Sequence, residues 1–329
     1  MIALPVKIIL RAEQHLWKNG NQISLEINLN MNIPKLGFIG FGEAAFSIAS
    51  GLVNKGRKPV RAFDLLQSEP PQSLQIRKRA KDIDVVLCGS LNELLNQSDI
   101  IISTVTADKA LKVAEEASHF LSPSQFYLDL NSVSPKTKIK IALVIEQSRG
   151  AKFIEGAAMA AIPPLKNKAP IILSGPSVPL FMRKMEPFNF NFSNVGNQFG
   201  QAAAIKMFRS IIIKGIETLL QECLLAASEF DASEPVLQSI QETHSKINWG
   251  ELATYLLGRT LMHGNRRATE MEQVIETLRD VSVEPILATA IFKRLKMVAD
   301  MDLVKPSLTW HHDDYQIVID KIKKNVRPN

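Results

Sequence analysis

The sequence predicts an α/β fold, a doubly wound parallel sheet followed by an all-α C-terminal part that a long helix joins to it. Three observations carry this prediction. From residue 35 to about Gly196, short apolar runs alternate with stretches of helical spacing, the pattern of a parallel sheet covered on both faces. The first apolar run ends in Gly40-Phe41-Gly42-Glu43-Ala44-Ala45, a GxGxxA turn between a strand and a helix. After Gly196 strand-like runs cease, and residues 198–229 keep one unbroken helical period.

The elements follow in order. KLGFIGF is a first strand, and EAAFSIASGLVNKG is a helix that Gly56 stops. KPVRAFD is a second strand, residues 71–82 a polar, basic helix, DVVLCGS a third strand and LNELLNQ a short helix. DIIISTVT and QFYLDLNS are the fourth and fifth strands, with helices DKALKVAEEASHFL and PKTKIKIALVIEQSRG after them. AKFIEGAAM and PIILSG add two further strands. Shorter helices then run to residue 327, parted by DASEP and INWG. The domain boundaries implied are an N-terminal extension over 1–30, a dinucleotide-binding domain over 31–196 and an all-α substrate and dimerisation domain over 197–329. The extension is set apart because Met31 opens MNIPKLGFIG like a natural start. Its apolar run is broken by Lys7 and Arg11 with no small-residue cleavage site, so it does not read as a signal peptide.

Composition excludes several classes. The net charge of +6 comes from scattered basic residues, so nucleic acid is not an expected partner. The densest basic cluster, KIKKNVRP from Lys321 to Pro328, reads as a frayed terminus. No run approaches the roughly 20 apolar residues of a membrane span. Cys88 and Cys223 lie in apolar runs and read as packed thiols, with no disulfide framework and a cytoplasmic location. His311-His312-Asp313-Asp314 lacks a metal-ligand spacing, and no metal is expected.

The glycine turn carries the chemistry of a Rossmann-like nucleotide site. Gly40 permits the tight turn, Gly42 lets the backbone approach a pyrophosphate, and Ala45 allows close helix–strand packing. The first turn, Phe41, Glu43 and Ala44 included, then offers free N–H groups to phosphate. The second strand ends in Asp64, where an acid binds both ribose hydroxyls of NAD and repels the 2′-phosphate of NADP. Arg57, Lys58 and Arg61 nearby keep NADP as the alternative cofactor. Ser103-Thr104-Val105-Thr106 and Asn131-Ser132 end the fourth and fifth strands, the ends at which ligands bind in such sheets. Asn131 or Ser134 can also cap the helix that Pro135 starts.

GFIGFGEAA, DLNSVSP at 129–135 and GQAAAIKMFRS at 200–210 together resemble the β-hydroxyacid dehydrogenase superfamily, which includes 6-phosphogluconate and 3-hydroxyisobutyrate dehydrogenases. MAAIPPLKNKAPIILSGP, AIKMFRSIIIKGIETLLQECLLAA and HGNRRATEMEQVIETLR resemble an uncharacterised branch of it, described as "phosphogluconate dehydrogenase, NAD-binding, putative-like". The resemblance implies the same fold, an NAD or NADP cofactor, a small anionic substrate and Lys206 as the general acid/base, placed after Gly200. The asparagine the family carries one turn later is Ser210 here, and the DxPVSGG substrate loop is replaced by Glu155-Gly156-Ala157-Ala158-Met159-Ala160-Ala161. The substrate therefore differs from those of the well-known members. Ser132, Met159, Arg209 and Ser210 are its expected contacts, with His263 and Arg267, one helical turn apart, for its anionic group. A surface salt-bridge set with Glu270 and Glu272 is the competing reading of HGNRRATEM.

Lys206, Ser210, Lys214, Glu217 and Gln221 fall on one helical stripe. By periodicity alone the stripe is a solvent face; the glycine turn and the resemblance favour a wet cleft in which Lys206 moves a proton. Two alternatives stand beside the dehydrogenase reading: a reductase of imines on the same scaffold, against which Lys206 argues, and a dinucleotide-binding protein without catalysis. Apolar faces on the helical half predict a homodimer.

Overall fold

The computed structural model describes residues 33–53, 60–303 and 314–326. The extension over 1–30, Gly56, Arg57, Lys58 and His311-His312-Asp313 lie outside the described residues.

Eight strands form one sheet: β1 (Leu36–Ile39), β2 (Val60–Phe63), β3 (Val86–Leu87), β4 (Ile100–Ser103), β5 (Phe126–Asp129), β6 (Lys152–Ala158), β7 (Pro170–Ser174) and β8 (Asn191–Gly196). Their order is β3-β2-β1-β4-β5-β6-β7-β8. The first six are parallel, in the doubly wound order that reverses between β1 and β4. The expected Rossmann-like α/β sheet is therefore present. Every residue of β1, β4 and β5 is buried, as parallel strands covered on both faces require. Helices α1 (Glu43–Val53), α2 (Gln72–Asp82), α3 (Leu91–Asn96), α4 (Ala110–Ser118) and α5 (Pro135–Arg149) supply that cover. One apolar core cluster, with Phe38, Ile48, Ile100 and Leu128, lies on one face of the sheet, and a second, with Ile101, Tyr127, Ile141 and Phe153, on the other.

The parallel expectation fails at β7, which runs antiparallel to β6. A parallel return needs a crossover of about a dozen residues or more with an element spanning the sheet. Residues 159–169 hold only the short turn α6 (Ile162–Leu165), with two prolines, and a 3₁₀ turn, so the chain doubles straight back. After β7, helix α7 (Val178–Met185) provides a true crossover, and β8 lies parallel to β7. Neither α7 nor β8 stands out in the sequence pattern.

The rest is helical: α8 (Gln201–Ala227), α9 (Ser233–Thr243), α10 (Trp249–Asp280), α11 (Ile286–Ala299) and α12 (Tyr315–Val326). Helix α10 is longer than α8, against the expectation of shorter segments, and is kinked where His263 leaves helical geometry (φ −135°, ψ 18°). The basic stretch from Lys321 is not frayed up to Val326. It is the end of α12, held by the buried Ile322 and by a Lys323–Glu229 ion pair of 2.9 Å. Cys88 is buried as expected; Cys223 is exposed, because it lies on the outward side of α8 while its neighbours Leu220 and Leu224 turn into the helical core. Among the described residues no helix is long and apolar enough to cross a membrane.

Candidate active site

The carboxyl ends of β1, β4 and β5 bring the predicted cofactor residues to the point where the sheet order reverses. Gly40 follows β1 with φ +82°, and a Cβ there would meet the Thr104 carbonyl oxygen at 2.8 Å and Val105 Cγ1 at 2.9 Å. Only glycine fits this turn. Thr104 closes against it, its N–H donating to Ile39 O at 2.9 Å and its hydroxyl to Gly40 O at 3.0 Å. Gly42 is the opposite case: a Cβ there would meet nothing within 4 Å. The space beside it is open at the N-terminus of α1, where first-turn N–H groups lack intrahelical acceptors. That is the cradle a pyrophosphate needs. Ala45 is fully buried against the sheet, Ala44 is half-buried, and Glu43 and Thr106 are exposed at the rim.

Two cofactor expectations need correction. The Phe41 N–H is not open to phosphate: the ring is in the core, and the N–H donates to Asp64 Oδ2 at 2.7 Å. Asp64 is not simply a ribose acid. Its other oxygen accepts the Leu66 N–H at 2.9 Å and caps the 3₁₀ turn after β2, so the carboxylate first ties the end of β2 to the glycine turn. Each of its oxygens keeps lone pairs for a ribose hydroxyl.

At the end of β5 lies a buried polar network. Asp129 Oδ1 accepts the Asn131 N–H at 2.9 Å and its side-chain amide, which also donates to Ser103 Oγ at 3.0 Å. The anionic acceptor fixes the sense of the amide, so Asn131 Oδ1 points the other way, and it is buried without a partner. A buried acceptor of this kind, at the switch point of the sheet, fits a carboxamide N–H donor such as nicotinamide carries. Lys138, 1% exposed, balances Asp129: its ammonium lies 3.1 Å from Oδ2 and donates to the carbonyls of Asp129 and Gly156.

Lys206 reaches the same place from α8. Its ammonium donates to Ser132 Oγ at 2.5 Å, joining residues 74 apart in sequence. Burial lowers its pKa to about 8; Glu270 opposes that shift, while the charges of Lys138, Lys214 and Arg266 add to it. Helix α8 is aimed by Glu155, a fully buried carboxylate on β6 that accepts the N–H groups of Gly200 and Ala203 and the Ser174 hydroxyl. An acid at a helix N-terminus satisfies orphan donors and complements the dipole. Gly200, at φ +91°, lets the chain turn into the helix. Arg209 Nη1 lies 3.4 Å from the Met159 carbonyl, so these two expected contacts also meet, while Ser210 is half-buried one turn beyond Lys206.

The polar stripe of α8 is neither a solvent face nor a wet cleft over most of its length; it is buried against α10. Lys214 pairs with Glu270 at 2.9 Å, and Gln221 donates to Thr260 Oγ1 at 2.8 Å. Glu217, fully buried, takes Arg267 through both carboxylate oxygens. This overturns Arg267 as a substrate contact: it is 3% exposed and its fork is occupied. His263 is exposed at the α10 kink, its imidazole held below its ordinary pKa by burial, then by Arg266 and Arg259. Glu155, Lys138 and Glu270 are absent from the sequence-derived site. Lys138 had a signal, since it shares a stripe with the core residues Ile141, Ala142 and Ile145; Glu155 had none beyond its place in the altered loop.

Comparison with known proteins agrees with this geometry. Residues 35–131 match the family described as NADP oxidoreductase coenzyme F420-dependent, and residues 227–298 match a domain of unknown function, DUF1932. A conserved hypothetical protein from Sinorhizobium meliloti 1021 is 33% identical, with TM-score 0.73, over 89% of this chain and 97% of that one. A conserved protein of unknown function, described as structurally similar to 3-hydroxyacid dehydrogenases, is 30% identical, with TM-score 0.66, over 81% and 97%. The 3-hydroxyisobutyrate dehydrogenase of Mycobacterium tuberculosis, solved with L-serine, shares the fold at 15% identity and TM-score 0.68, over 88% and 99%. With a glycine turn at the switch point, a lysine delivered by the long helix and relatives of this kind, the chain belongs to the β-hydroxyacid dehydrogenase-like superfamily.

Proposed function

We propose that the protein is an NAD(P)-dependent oxidoreductase that moves hydride between a nicotinamide and a small anionic hydroxy acid or its carbonyl form, with Lys206 as general acid/base. The observation that carries this reading is the partly buried Lys206 ammonium on Ser132 Oγ, beside the network that leaves Asn131 Oδ1 without a partner. A bound nicotinamide would supply the hydride acceptor. The chain supplies the proton chemistry. As the carbinol carbon gives up hydride, its hydroxyl proton passes to neutral Lys206; in the reductive direction the ammonium returns it. A pKa of about 8 keeps both forms of the lysine populated near neutral pH. Ser132 holds the amine in place.

Gly40, Gly42, Glu43, Ala44, Ala45, Thr104, Val105, Thr106 and Asn131 surround the cofactor in this reading, and Asp64, next after β2, supports NAD over NADP because a carboxylate there accepts ribose hydroxyls and repels a 2′-phosphate. Residues 31–196 act as the dinucleotide-binding domain and 197–329 as the substrate and dimerisation domain of a homodimer. The test is absorbance of the reduced nicotinamide with NAD and NADP against a panel of hydroxy acids and aldehyde acids, for wild type and Lys206→Ala. The expected result is turnover lowered by at least about 10²-fold in the variant with cofactor affinity unchanged. Turnover that survives the substitution removes Lys206 from the chemistry.

A further inference from the structure

The end of β5 carries an ion pair that stability alone does not call for. Asp129 is fully buried and Lys138 is 1% exposed. Lys138 lies in the first turn of α5, where the helix dipole disfavours a cation. Apolar residues of like volume often replace a buried pair without loss of stability, so burying these two charges asks for another reason.

What the pair holds is the Asn131 side chain. Asp129 Oδ1 accepts both the main-chain N–H of Asn131 and its side-chain amide N–H. The same amide nitrogen donates to Ser103 Oγ at 3.0 Å. A serine hydroxyl donates or accepts, so Ser103 would serve either orientation of the amide; an ionised carboxylate only accepts. The charge on Asp129 therefore decides the orientation. Lys138 sustains that charge, its ammonium 3.1 Å from Asp129 Oδ2 and anchored by the carbonyls of Asp129 at 2.8 Å and Gly156 at 3.2 Å. Asn131 Oδ1 is left buried without a partner, one residue from Ser132, which accepts the Lys206 ammonium.

We propose that the Lys138–Asp129 pair is a positioning device: it locks the Asn131 amide with its oxygen towards the nicotinamide ring. The site then takes the carboxamide by its NH2 group and discriminates against a ring that lacks this donor. This rests on the dehydrogenase reading for the presence of a nicotinamide at the end of β5, but it is tested by binding alone.

The probes are oxidised NAD and its acetylpyridine counterpart, in which a methyl ketone replaces the carboxamide. The readout is the ratio of their Kd values, measured by titration calorimetry on the full chain. Wild type is expected to bind NAD at least about five-fold tighter, because the methyl group strands the buried Oδ1. Asn131→Leu removes the acceptor, leaves the ion pair in place and brings the two affinities together. Lys138→Met is expected to do the same by another route. Without the cation the buried Asp129 takes up a proton, donates it to Oδ1 and turns the amide nitrogen towards the ring. The double change Lys138→Met with Asp129→Asn strands no charge and gives the same result if the single variant does not fold. A merely structural defect weakens both ligands alike and keeps the ratio. A wild type that binds the two equally, or a ratio retained in the Lys138 variants, overturns the device and leaves the dehydrogenase reading standing. A wild type that binds neither overturns both. Discrimination without hydride transfer to any panel member sinks the dehydrogenase alone.

Discussion

Lys206 combines two requirements in one side chain: an amine basic enough to take a proton and a site that resists its charge. Its ordinary pKa of 10.5 falls to about 8, chiefly through burial. The unfolded lysine thus keeps its proton between pH 8 and 10.5 while the folded one has lost it. The unfolded state binds more protons in that window, so stability rises with pH across it. Below pH 8 both states are protonated and the full cost of the buried charge is present. Lys206→Met removes that cost, which a shift of this size sets on the order of 3 kcal/mol, less what the solvent-facing part of the side chain recovers. The variant is expected to melt above wild type at pH 7, with the difference shrinking towards pH 10.5; a constant difference across that range would mean that packing, not charge, separates the two. The same lowered pKa fixes the activity profile. Oxidation needs the neutral amine and rises through pH 8, whereas reduction needs the ammonium and falls there, which initial rates in both directions would read. Periodicity alone made Lys206 part of a solvent stripe; the glycine turn and the family resemblance singled it out. Asp64 was legible only in part, because a carboxylate that caps a turn and one that binds ribose occupy the same sequence position.

Helices α8 and α10 meet through a seam that amphipathic reasoning misassigns. Periodicity places Lys206, Ser210, Lys214, Glu217 and Gln221 on one face but does not say what that face meets. The partners, Thr260, Arg267 and Glu270, lie 39 to 56 residues further along the chain in a helix of similarly mixed polarity. Charge stripes usually face water, and this one instead finds its complement across a helix pair. Removing one member of a buried, bidentate pair strands the other charge. Arg267→Ala is expected to destabilise the fold by about 3–5 kcal/mol, because Glu217 is then left ionised and buried. The double change Arg267→Ala with Glu217→Gln is expected to recover part of the loss. Denaturant midpoints at constant m would check both, and a single variant within about 0.5 kcal/mol of wild type would show that the pair contributes little. Substitution at Arg266, which is exposed, is expected to leave the midpoint unchanged.

On the scale of the whole molecule, the alternation of short apolar runs and helical spacing was enough to read the parallel order of β1 to β6, because each crossover helix announces itself by its period. The reversal at β7 was not legible, since a short proline-containing link and a helical crossover differ in length more than in pattern. The outer face of α8 was legible in part: helical spacing put apolar residues on the faces off the polar stripe, and the fold shows which of them stay exposed. Ile205, Phe208, Ile212 and Leu219 are 38%, 40%, 63% and 70% exposed, and with Cys223 they form a single stripe, edged by the exposed Arg209 and Glu222. A polar rim around an exposed apolar strip is the anatomy of an interface. The homodimer reading uses this surface. Light scattering at micromolar concentration is expected to give twice the chain mass of 36.6 kDa. Ile212→Asp combined with Leu219→Asp places two charges in the strip and is expected to yield a monomer with wild-type circular dichroism. A wild-type monomer, or a double variant that stays dimeric, would move the interface away from α8.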